Sequence, residues 1–92
     1  MRTAEEKVPG GKLVRVTVMP YGRVRISGDF FLHPEESIVL IENALGGLDG
    51  TEPADEIELI LQQAVAETGM ELIGVDVPVI VRLYQRCLTC GE

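Results

Sequence analysis

The stretch Leu13–Gly28, LVRVTVMPYGRVRISG, decides the fold. Val14, Val16 and Val18 alternate with Arg15 and Thr17; Val24, Ile26 and Gly28 alternate with Arg23, Arg25 and Ser27. A period of two marks a strand with one buried face. Two strands are therefore predicted, joined through Met19-Pro20-Tyr21-Gly22. A two-residue loop at Pro20-Tyr21 would set Val18 opposite Arg23 and mix the faces. A three-residue loop at Pro20-Tyr21-Gly22 instead sets Val18 opposite Val24 and Val16 opposite Ile26. It also supplies proline for a type I turn and glycine for a left-handed bulge position. The prediction is an antiparallel hairpin with Arg15, Thr17, Arg23 and Arg25 on the face away from the core.

On the N-terminal side, residues 1–9 read as a flexible lead-in and Pro9-Gly10-Gly11 as a loop. On the C-terminal side, a first helix is expected from Pro34, a favoured first helical residue, with Glu35 and Glu36 complementing the helix dipole. Ile38, Ile41 and Leu45 make its buried stripe, and Gly46-Gly47 ends it. A second helix follows from Ile57, Ile60, Leu61, Ala64 and Val65, with Gly69 as its stop. Met70–Val75 is short and apolar, a third strand that pattern alone does not place. Asp76 can cap a third helix with Pro78 in its first turn and Ile80, Leu83, Tyr84, Cys87 and Leu88 on one face. The order ββααβα specifies an α+β fold, a small two-layer sandwich with helices on one face of the sheet, forming a single domain over residues 10–92.

With 92 residues and a hydrophobic fraction of 46%, the chain can bury one aliphatic core. Its net charge of −7 is unevenly spread: residues 1–25 carry +4 and residues 26–92 carry −11. Such an acidic balance argues against nonspecific nucleic-acid binding, which needs many phosphate-neutralising cations. No apolar run reaches the roughly 20 residues of a membrane span, so a cytoplasmic protein is expected.

The densest chemistry is ISGDFFLHPEE, residues 26–36. His33 with Glu35 and Glu36 has no second histidine or nearby cysteine, so metal-ligand spacing is absent. Glu35 and Glu36, about 100° apart on a helix, do not converge on one ion. Asp29 and His33 could serve as orienter and base, but no nucleophile accompanies them. His33 reads instead as part of the helix start. If the strand continues through Phe30 and Phe31, one ring fills the core and the other is a candidate docking anchor. Lys12, after Gly10-Gly11, can reach an anionic group from a glycine loop, although no helix N-terminus follows as in a P-loop. Cys87-Leu88-Thr89-Cys90 lies at the end of a helix, not at the N-terminus where redox pairs are activated, and supplies half of a tetrahedral zinc site. A small metal or iron–sulfur scaffold using Cys87 and Cys90 stays open as the alternative.

The combination VPGGKLVRVTV, a tight hairpin, GDFF and a helix ending LGG resembles the accessory, C-terminal domain of lipoate–protein ligases, in stand-alone form. The likeness lies mainly in residues 7–47, and the HPEE extension fits the separate-subunit version. It implies a non-catalytic partner of a larger ligase subunit that uses ATP, Mg and lipoate to form lipoyl-AMP. That subunit then transfers the lipoyl group to a lysine of a lipoyl domain or the glycine-cleavage H protein. It further implies Gly10, Gly11 and Lys12 near the active site, and Gly28, Asp29, Phe30, Phe31 and His33 at the ligase contact. The Cys87/Cys90 tail and the acidic stretch 48–56 depart from the family pattern.

Overall fold

The computed structural model describes residues 2–8 and 12–90. Its hairpin has the register that the alternation requires. Strand β2 (Lys12–Val18) pairs antiparallel with β3 (Val24–Gly28), with Val18 opposite Val24 and Val16 opposite Ile26. The turn differs from type I. Gly22 takes a positive φ of 78°, as expected, but Tyr21 does so too, at 67°. The Met19 amide donates to the Arg23 carbonyl at 2.7 Å, so three residues must reverse the chain.

Residues 2–8 are a strand, not a lead-in. Strand β1 (Arg2–Val8) lies antiparallel to β2 and gives the sheet order β1-β2-β3. Ala4 and Val8 enter the core beside Val14 and Val16. On the opposite face Glu5 pairs with Arg15 at 2.7 Å, and the Thr3 and Thr17 hydroxyls meet at 3.2 Å. Arg15, Arg23 and Arg25 are exposed there, as predicted.

Helix α1 (Ile38–Gly46) begins later than expected. Pro34 keeps an extended ψ of 151°, and Glu35–Ser37 form a single 3-10 turn before the helix. The reason is that His33 belongs to a strand, so Pro34 completes the corner instead of opening the helix. Its fixed φ suits both roles. Ile41 and Leu45 are fully buried and Ile38 packs beside them.

Helix α2 (Ala54–Thr68) ends where Gly69 adopts φ 70° and its amide donates to the Val65 carbonyl. This is the left-handed stop that glycine tolerates without steric cost. Helix α3 (Val77–Cys90) is capped by Asp76, whose Oδ1 accepts from the Val79 amide at 3.0 Å. Ile80, Leu83, Tyr84 and Cys87 are all buried on the predicted face.

The third strand does not join the hairpin. Strand β4 (Phe31–His33) pairs antiparallel with β5 (Glu71–Ile73), a separate two-stranded ribbon. The chain is thus α+β, with a three-stranded antiparallel sheet backed by helices and a short ribbon at one corner.

Glu6 ties the edge strand to α3. Its carboxylate accepts from the Arg82 guanidinium through both oxygens and meets Arg86 at 3.4 Å. The hydrogen bond from Arg82, with its positive charge and that of Arg86, holds the Glu6 carboxyl below its usual range despite some desolvation. A depressed folded-state pKa contributes stability above the unfolded value, and that contribution is lost as pH falls through the folded value. The melting-temperature gap between the wild type and Glu6→Gln should be full at pH 6 and shrink once pH drops below about 4.3. A gap that stays constant down to pH 2.5 would show that the ion pairs do not anchor β1.

Candidate docking site at the Gly28–Phe31 corner

Gly28 sits where the chain leaves the sheet. Its φ is 147°, and a Cβ there would lie 2.0 Å from the Leu13 carbonyl oxygen and 3.1 Å from the Val14 Cα. No side chain fits against backbone at that range, so the position requires glycine. One residue later the Asp29 amide donates to the same Leu13 carbonyl at 2.8 Å. This clamp fixes the direction in which the ribbon leaves the sheet.

Past the clamp the side chains alternate. Phe30 packs against the core and Leu32 is buried, whereas Phe31 is 57% exposed and His33 is exposed. Phe31 is therefore the outward ring. Ile73, its cross-strand partner, is also 47% exposed, and Glu71 pairs with His33 on the same face. Two large apolar groups thus stand side by side in water. Fully burying a side chain such as phenylalanine is worth about 1.5–3 kcal/mol. Much of that is still to be gained at Phe31.

Lys12 comes to the same place from β2. Its Nζ lies 5.7 Å from the centroid of the Phe31 ring, within cation–π range. Gly74, at φ 87°, makes room for it: a Cβ there would stand 3.2 Å from the Lys12 Cγ and 3.6 Å from Phe30. A concavity of about 340 Å³ flanks the ring, lined in part by Ser27, Gly28, Glu35 and Ile38.

Of the residues singled out in the sequence, the fold brings together Lys12, Gly28, Asp29, Phe30, Phe31 and His33. Gly10 and Gly11 lie outside the described residues. Asp29 and His33 are both exposed, and no hydrogen bond joins them among the described residues. They do not form the base–orienter pair. Glu71, Ile73 and Gly74 were not anticipated here. The one signal for them was that ELI carries two adjacent apolar residues, and a strand with one buried face must expose one of the two.

Cys87 is in the core, 2% exposed, and its thiol donates to the Val16 carbonyl at 3.2 Å. Burial pushes the thiol pKa up, which favours the neutral, unreactive form. A metal role for Cys87 would first require extracting it from α3's packing face. Among the described residues, no helix is long and apolar enough to cross a membrane.

Comparison with family models, curated proteins and solved structures finds no match to this chain.

Proposed function

We propose that this chain is the non-catalytic accessory subunit of a two-part lipoate–protein ligase. A separate catalytic subunit would need it for ATP-dependent activation of lipoate to lipoyl-AMP. The observation that carries this reading is the exposed Phe31 ring, held at a rigid glycine corner between Lys12 and Ile73. The corner is built from the same GDFF residues that carry the family likeness. A rigid aromatic anchor next to a second apolar group and a cation is a typical centre for a protein interface.

ATP, Mg and lipoate belong to the catalytic subunit, and this chain acts on them through that partner. Docking over the ligase would exclude water from the acyl-adenylate and order the phosphate-binding loops. Lys12, at the start of β2, would offer its ammonium group to an anionic phosphate. Its aliphatic stem rests over Gly74 meanwhile. On this reading the protein is cytoplasmic. Its direct partner is the catalytic subunit, and lipoyl domains or the H protein are indirect ones.

The test is lipoyl-AMP formation by the cognate catalytic subunit with and without this chain. Addition should raise the rate at least tenfold, and Lys12→Ala should lose most of that gain. Equal rates in the two arms would overturn the proposal, while a fully active Lys12→Ala protein would remove Lys12 from the site.

A further inference from the structure

A second surface, on the far side of β3, carries charge that the fold does not use. Four of the six arginines are engaged: Arg15 with Glu5, Arg82 and Arg86 with Glu6, and Arg2 with the Leu88 carbonyl. Arg23 and Arg25 make no ion pair or side-chain hydrogen bond among the described residues. Both line a groove of about 580 Å³ between the hairpin tip and α1. Tyr21, Val39, Glu42 and Asn43 line it as well.

Two features suit this groove to a ligand, and a third limits where it can sit. Tyr21 is fully exposed and holds a left-handed backbone conformation, which costs a non-glycine residue about 1–2 kcal/mol. The wall includes Val39, an apolar side chain left 49% exposed. Strand β3 is also an edge of its sheet, and its outward Ile26 amide is already taken by the Glu42 carboxylate at 2.8 Å. The Glu42 carboxylate lines the same groove, so two cations there face one anion, and the Ile26 amide already holds that anion at the edge.

We infer that the groove binds an extended acidic peptide segment of a partner protein, with carboxylates two residues apart reaching Arg23 and Arg25. The spacing supports this occupant. Residues i and i+2 of a strand project on one face about 6.8 Å apart, and Arg23, extended just before β3, and Arg25 within it stand in that relation. An extended peptide carrying Glu-x-Glu matches it, with the intervening side chain free to meet Val39 or Tyr21. Arginine–carboxylate pairs of this kind are bidentate and directional. Nucleic acid is the poorer occupant, since two arginines in a chain of net charge −7 neutralise few phosphates. The arginines of the groove and the Phe31 ring line separate concavities, so a failure of one contact leaves the other testable.

The experiment uses the isotope-labelled full chain, titrated with an acetylated, amidated Gly-Glu-Val-Glu-Gly peptide and followed by amide chemical shifts. Shifts are expected at Tyr21–Arg25 and Val39–Gly47, while Phe31 and Ile73 stay still. Raising the salt from 50 to 300 mM should weaken binding several-fold. The double variant Arg23→Gln/Arg25→Gln, whose altered side chains are exposed and whose fold the same spectra report, should weaken it at least tenfold. The Gln counterpart of the peptide should fail to bind. Equal binding by that Gln peptide, unchanged binding by the double variant, or shifts centred elsewhere would each overturn the inference. So would inorganic phosphate moving the same amides at equal or lower concentration, which would make the groove a small-anion site.

Discussion

Gly28→Ala is expected to destabilise the protein by about 3 kcal/mol, the combined effect of a backbone conformation that L-residues rarely adopt and a direct overlap. The overlap is with backbone, since the new methyl would lie 2.0 Å from the Leu13 carbonyl oxygen. Neither group can rotate away. Relief would require β2 and β3 to part and the Asp29 amide to release that carbonyl. For a domain of this size the loss corresponds to a fall in melting temperature of roughly 15 °C. Gly69→Ala supplies the comparison. Gly69 also holds a positive φ, yet a Cβ there meets nothing within 4 Å. That substitution should cost only the conformational term, about 1 kcal/mol. The difference between the two, read from chemical denaturation, isolates the clash. Equal costs would mean that β2 and β3 do not approach each other at this corner as described.

The sequence was most legible where one face of an element is buried and the element is long. Val16 opposite Ile26 and Val18 opposite Val24 followed from alternation alone, because a slip of one residue would have buried arginine. Helix α3 was legible for the same reason, with Ile80, Leu83, Tyr84 and Cys87 recurring at helical spacing. Strand β1 was not. Its inward face reads Ala4, Glu6, Val8, and a glutamate in the middle of a buried face looks like solvent-exposed chain. Glu6 is tolerated there because Arg82 and Arg86 arrive from a helix more than 70 residues later. No local pattern carries that information.

The ribbon was hidden by a related limit. Three residues are too few for a period of two to be distinguished from chance, and Phe31 pairs with Ile73 across two of the three helices. Pro34 was misleading for a physical reason: a φ near −65° serves the first turn of a helix and an extended corner equally well. The candidate site was half legible as a result. Gly28 to Phe31 stood out as residues that local structure does not demand, but the choice of Phe31 over Phe30 needed the ribbon. So did the approach of Lys12 to its ring.

Phe31→Ala should then separate docking from folding. The side chain is more than half exposed, so its truncation should cost the isolated protein less than about 1 kcal/mol. Phe30 packs against the core, and Phe30→Ala should cost several times more in stability. At the interface the order should reverse. An aromatic anchor at the centre of a contact contributes 2 kcal/mol or more on truncation, about 30-fold in affinity. Under the proposed function, Phe31→Ala is therefore expected to weaken binding to the catalytic ligase subunit at least 30-fold, measured by calorimetry. It should also lower lipoyl-AMP formation in proportion when the chain is limiting, and saturating chain should restore the rate. Ile73→Ala should show a smaller effect in the same direction. A cycle pairing Phe31→Ala with Lys12→Ala should reveal coupling of about 0.5–1 kcal/mol, since the ammonium loses its ring. Unchanged affinity in Phe31→Ala, with a protein as stable as the wild type, would move the contact off this corner. Lost rate that excess chain does not restore would give Phe31 a part in ordering the active site, beyond holding the two subunits together.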